Sequence, residues 1–106
     1  MEQRFLISTD SAKGAPAGGT TADERNKITF YLEAKGWQVW HWFEDLWLVV
    51  TPQGSTTTIA LRDEITNLFG AKRFLLVMEI QGPIVYSGYG NGEGWPWMAS
   101  KWGTPQ

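Results

Sequence analysis

The stretch GWQVWHWFEDLWLVVT, residues 36–51, carries two strand-like runs almost back to back. Residues 37–43 and 46–51 are rich in Trp, Val and Leu, and only the acidic pair Glu44-Asp45 separates them. Aromatic and β-branched runs divided by a short polar break predict a β-hairpin. A two-residue turn is the simplest connection, but Glu-Asp lacks the glycine that type I′ turns favour, which leaves room for a loop one residue longer. In the second run Leu46, Leu48 and Val50 alternate with Trp47, Val49 and Thr51; in the first, Trp37, Val39 and His41 alternate with Trp40 and Trp42. Side chains alternate across a strand, so whichever set meets the rest of the fold, a large apolar surface is left on the other face.

Each side of the hairpin carries a helix with its own start and stop signals. Thr21-Ala-Asp-Glu24 has the spacing of a capping box, in which the two end side chains satisfy backbone donors that the first turn leaves orphaned. A helix follows to about Lys35, with Ile28, Tyr31, Leu32 and Lys35 on one face and Gly36 as its stop. Thr56, Thr57 and Thr58 offer caps to a second helix, whose Leu61, Ile65, Leu68 and Phe69 share a face and which Gly70 closes. Beyond the helices, residues 4–10 (RFLISTD) and 73–81 (RFLLVMEIQ) read as strands. The contiguous Phe5, Leu6 and Ile7 imply a strand covered on both faces.

The resulting order is β-α-β-β-α-β. Two right-handed crossovers interleave into an α+β, ferredoxin-like βαββαβ domain, a four-stranded antiparallel sheet in the order 4-1-3-2 with both helices on one face. Residues 1–82 make this domain. Residues 83–106 form a Gly/Trp-rich extension, with a terminal helical turn after Pro96, that packs on the domain or on a partner subunit.

Composition narrows the chemistry. The chain has 106 residues, 42% of them hydrophobic, which suffices for one core. No apolar run exceeds the five residues of Phe74 to Met78, far short of a membrane span, and no secretory h-region opens the sequence, so a cytoplasmic protein is expected. There is no cysteine and only one histidine, which argues against disulfides, thiolate chemistry and a zinc site. Seven tryptophans are unusual, and they fall into two groups: Trp37, Trp40, Trp42 and Trp47, then Trp95, Trp97 and Trp102. On the face opposite the helices, Trp40, Trp42, Trp47, Trp95, Trp97 and Trp102 are candidates for an interface or a binding surface. A homodimer through this face or its edge is the first reading. Coverage of the face by the tail is the second, and ligand stacking the third.

An aromatic sheet of this topology also suggests single-stranded nucleic-acid binding by base stacking. No Lys or Arg lies between Gly36 and Leu61, however, and the net charge is −2, so phosphate neutralisation is missing where the aromatics are. Carbohydrate stacking would suit an exported protein better. The stretch from Gly14 to Thr20 approximates a phosphate loop but lacks its lysine, Lys13 standing on the wrong side. His41 has no catalytic partner at diagnostic spacing and reads as a packed or interfacial histidine. Glu44-Asp45 reads as a solvated turn, Arg62, Asp63 and Glu64 as the polar side of the second helix, and Lys72-Arg73 as a basic step before the last strand. Asp10 ends the first strand, where two copies of it in a symmetric dimer would hold a divalent cation; the plainer reading is that it caps the following turn.

Four stretches, RFLISTD (4–10), GWQVWHWFEDLW (36–47), FLLVMEIQG (74–82) and GWPWMASKW (94–102), resemble small bacterial and phage proteins labelled SinR-like, distant relatives of the second CRISPR-associated (adaptation) protein family. The resemblance covers most of the chain and implies a ferredoxin-like fold and a homodimer. In the CRISPR family the first strand ends in an aspartate associated with divalent metal and nuclease activity, and Asp10 is the matching position. The residue before it, often tyrosine there, is Thr9, and that family's basic DNA-facing surface has no clear counterpart in this acidic chain. The expectation is therefore a homodimeric, mainly non-catalytic module without a cofactor. The alternative is a nuclease using Asp10 with Mg²⁺ or Mn²⁺.

Overall fold

In the computed structural model, which describes residues 1–11, 18–90 and 92–106, the sequence signals for both long helices are used as written. Helix α1 (Ala22–Ala34) starts from a complete capping box. The Glu24 N–H donates to Thr21 Oγ1 at 3.1 Å, and the Thr21 N–H donates to Glu24 Oε1 at 3.0 Å. Burial works to raise the Glu24 carboxyl, but the Thr21 N–H, Arg73 and Lys27 outweigh it and hold the group below its ordinary range. Helix α2 (Thr58–Phe69) is capped by Thr57, whose Oγ1 accepts from Ala60 N–H at 3.1 Å, and it ends on Gly70 in the left-handed region at φ 70°.

Between and around them lie β1 (Glu2–Thr9), β2 (Gln38–Trp42), β3 (Leu46–Pro52) and β4 (Leu75–Ile80). They form one antiparallel sheet in the order β2-β3-β1-β4, which is 4-1-3-2 read from the other edge. The β2–β3 turn has three residues, Phe43 to Asp45, rather than two, and Phe43 takes the left-handed conformation (φ 56°) that the missing glycine would have supplied more cheaply.

Sheet parity divides the apolar residues into two cores. Phe5, Ile7, Trp47 and Val49 meet Ile28 and Leu32 of α1 and Leu61 and Ile65 of α2, and all eight are fully buried. Each such side chain contributes roughly 1.5–3 kcal/mol on leaving water. The opposite parity, Leu48 and Val50 with Leu6, Trp40, Trp42 and Ile80, faces away from α1 and α2.

Two helices were expected, and three are present. The tail folds into β5 (Val85–Tyr86), a third helix α3 (Gly94–Lys101) and β6 (Thr104–Pro105), with β5 and β6 paired in parallel. Helix α3 is longer than a terminal turn because Pro96 sits in its first turn, where a missing N–H costs no internal hydrogen bond. Its Met98 and the following Trp102 complete the second core. Among the described residues no helix is long and apolar enough to cross a membrane.

Candidate functional site

The second face of the sheet is where the sequence places its unexplained aromatics, and it is only partly covered. Helix α3 lies over the β2–β3 side, and Trp97 stacks on Trp40 with ring centroids 6.3 Å apart. Close approach depends on glycine. A Cβ on Gly94 would stand 2.7 Å from Trp40 Nε1, and one on Gly103 would stand 2.4 Å from the Ile84 carbonyl oxygen. The tail is tied to the centre of the sheet by Arg4, whose guanidinium donates to the Lys101 carbonyl from Nε at 3.1 Å and from Nη2 at 2.8 Å. That carbonyl ends α3, so the cation also meets the negative end of the helix dipole.

Between the tail and the sheet an apolar cleft of about 330 Å³ remains open. Leu6, Leu48 and Ile80 come to it from the strands, Trp42 from β2, and Trp95, Met98 and Trp102 from the tail. Trp42 and Trp95 meet edge to face, with centroids 4.8 Å apart and planes at 85°, and Tyr86 stacks beyond Trp95 at 6.3 Å. None of the described residues lining the cleft is charged.

Among the described residues, the β4 side of the same face is less covered. Leu76 and Met78 are 52% and 45% exposed, and Phe74, just before the strand, is 48% exposed. Because β4 is an outer strand of the sheet, its free edge lies alongside this apolar strip.

Five of the six candidate tryptophans, Trp40, Trp42, Trp95, Trp97 and Trp102, come together in this region. Trp47 does not. It is fully buried on the helix side, where its Nε1–H donates to Thr29 Oγ1 at 2.9 Å and its ring stacks on His41 at 4.4 Å. The Trp40 indole N–H is in the opposite condition: buried against Gly94, it has no acceptor among the described residues. His41 extends the Trp47 network, with Nδ1 3.4 Å from Thr29 Oγ1 and Nε2 2.8 Å from the Glu44 carbonyl oxygen. His41 is therefore held by ring stacking and two polar contacts while remaining exposed, rather than packed in a core.

Comparison with protein-family models, with curated proteins and with solved structures returns no match to this chain. Its chemistry is therefore read from its own residues.

Asp10 stands at the corner where β1 meets the β2–β3 turn. Its carbonyl accepts the Thr20 N–H at 2.8 Å. Its neighbours are used by Asp45, which accepts Thr9 Oγ1–H at 2.6 Å and also the Ser11 hydroxyl, while Ser11 reaches Glu44 Oε2 at 3.3 Å. Asp45 is thus a structural acceptor joining the turn to β1, not simply a solvated turn residue. No three acidic or histidine side chains among the described residues converge as metal ligands at Asp10 or elsewhere. The Gly14–Thr20 loop, considered above for phosphate, falls mostly outside the described residues.

Proposed function

We propose that the chain is a homodimeric, mainly non-catalytic module of ferredoxin-like build, related to CRISPR-adaptation-type proteins, and that two copies join by pairing their β4 edges. One observation carries the reading: β4 is self-complementary when it meets itself antiparallel. Centring the pairing on Leu76 sets Leu76 opposite the partner's Leu76 and Phe74 opposite the partner's Met78. The same register brings Arg73, which lies two residues before the strand and meets Glu24 within its own chain, opposite the partner's Glu79 near the strand's end. All three apolar residues are about half exposed in the single chain. Cross-strand apolar and opposite-charge pairs each contribute roughly 0.2–1 kcal/mol, and a two-fold axis uses every one of them twice. The product is a continuous eight-stranded sheet in which neither β4 is an edge any longer, which also removes an aggregation hazard.

Sedimentation of the intact protein over about a hundredfold range of concentration tests this. The expected result is a reversible monomer–dimer equilibrium that Leu76→Glu abolishes, since that change places two carboxylates face to face on the axis. A wild-type chain that stays monomeric throughout, or a dimer indifferent to Leu76→Glu, overturns the pairing. Cleavage of RNA or DNA that requires Mg²⁺ or Mn²⁺ and is lost in Asp10→Ala would replace the non-catalytic reading with the nuclease.

A further inference from the structure

We propose that the cleft between the tail and the sheet is a binding site for a small, neutral, two-ring aromatic molecule. The inference does not rest on the dimer, because it concerns the cleft between the chain's own tail and the sheet rather than the β4 edge.

Volume sets the size of the occupant. A dry apolar cavity of ~150 Å³ holds one benzene ring. At about 330 Å³ this cleft, open on one side to solvent, has room for two fused rings. The walls set its chemistry. Trp42, Trp95 and Tyr86 already form an edge-and-face series, and a flat ring entering beside them continues it with geometry that aromatic quadrupoles favour. Leu6, Leu48 and Ile80 supply an aliphatic floor of the kind a ring face packs on. A flexible acyl chain would gain the same burial but none of the ring–ring contribution, and would lose more rotational freedom on entering.

Charge sets the last limit. Among the described lining residues there is no Lys, Arg, His, Asp or Glu, so an ionised ligand would leave water without a counter-charge, whereas a neutral one loses little. The polar side-chain groups of the lining are few, the Tyr86, Ser87 and Tyr89 hydroxyls and the indole N–H groups, of which that of Trp95 already donates to the Gly90 carbonyl at 3.0 Å, which suits a molecule with one hydroxyl or ring nitrogen rather than many. Phe43 and Tyr89, 68% and 102% exposed, also belong to the lining, so the cleft opens to solvent between aromatic side chains.

The test uses the full chain and two probes that share one ring system, 2-naphthol and naphthalene-2-sulfonate. Calorimetry gives the affinity, and the seven indole N–H resonances show where the probe sits. The expected result is saturable one-to-one binding of 2-naphthol, with shifts concentrated on Trp42, Trp95 and Trp102, and at least roughly tenfold weaker binding of the sulfonate. Ile80→Trp, which fills the cleft from the sheet, should weaken 2-naphthol by about tenfold or more. Leu46→Phe fills it from β3 and gives the same reading should Ile80→Trp fail to fold. Leu76→Glu lies outside the lining and should leave binding unchanged, so a failed dimer and a failed ligand site give different results. Non-saturable binding of 2-naphthol, equal affinity for the two probes, or unchanged affinity in a folded cleft-filling variant would each overturn the proposal.

Discussion

The two faces of one sheet are built in different ways. Against α1 and α2 the sheet sets four fully buried side chains that meet four from the helices, and the polar groups around them are satisfied: Trp47 donates to Thr29, Tyr31 donates to Glu64, and Glu24 closes the capping box while meeting Arg73 at 3.3 Å. Against the tail, the strands set two buried residues, Leu48 and Val50, which meet Met98 and Trp102 of the tail among seven partly buried side chains, beside an indole N–H that has no acceptor among the described residues and an open cleft. The first face has the economy of a folding core. The second keeps apolar surface within reach of solvent, which a protein retains where something is to bind.

The comparison breaks most visibly at tryptophan. Trp47→Ala removes a fully buried ring and leaves Thr29 without its donor, and should cost ~3–5 kcal/mol, a large share of the ~5–15 kcal/mol available to a domain. Trp97→Ala, on the tail, should cost about 1–2 kcal/mol because its ring is only partly buried. Thermal or urea unfolding of the two variants side by side measures the contrast, and equal losses would mean that the faces are not distinct.

A smaller effect sharpens the same contrast. Arg4 is 26% exposed and holds the end of α3 through two hydrogen bonds to one carbonyl. Arg4→Ala should lower global stability by only about 1 kcal/mol. It should nonetheless make Trp95, Trp97 and Trp102 markedly easier to quench by acrylamide, while leaving Trp47 as protected as before.

How far this division can be read from the sequence depends on how local its causes are. The capping box at Thr21 and Glu24, the caps at Thr57 and Gly70, and the strand order all rest on signals a few residues long, or on handedness rules that admit one arrangement. The face on which Trp47 lies does not. Along β3 both parities are apolar, so periodicity offers no preference, and the decision comes from β1, where Phe5 and Ile7 pair with Val49 and Trp47 and turn with them toward the helices. That is why Trp47 reads as an interface candidate in the sequence yet sits apart from the other five in the fold. The cleft is less legible still, because it exists only once Arg4 meets Lys101, 97 residues away, and Gly94 lets α3 settle on Trp40. Even the role of Asp45 needs β1 and the turn brought together, since nothing in Glu44-Asp45 itself points to Thr9 and Ser11.

Native-state hydrogen exchange tests the division of the sheet most directly. The tail amides of Trp102 and Thr104 donate to the Met98 and Ile84 carbonyls at 2.9 and 2.8 Å, whereas Ile7 and Val49 lie in central strands of the sheet. Two faces of unequal strength should release the tail by a partial opening, with a lower free energy and little dependence on denaturant, while the central strands exchange only through global unfolding. Tail and central-strand amides that share one free energy and one denaturant dependence would contradict the account, because the second face would then be as integral to the fold as the first.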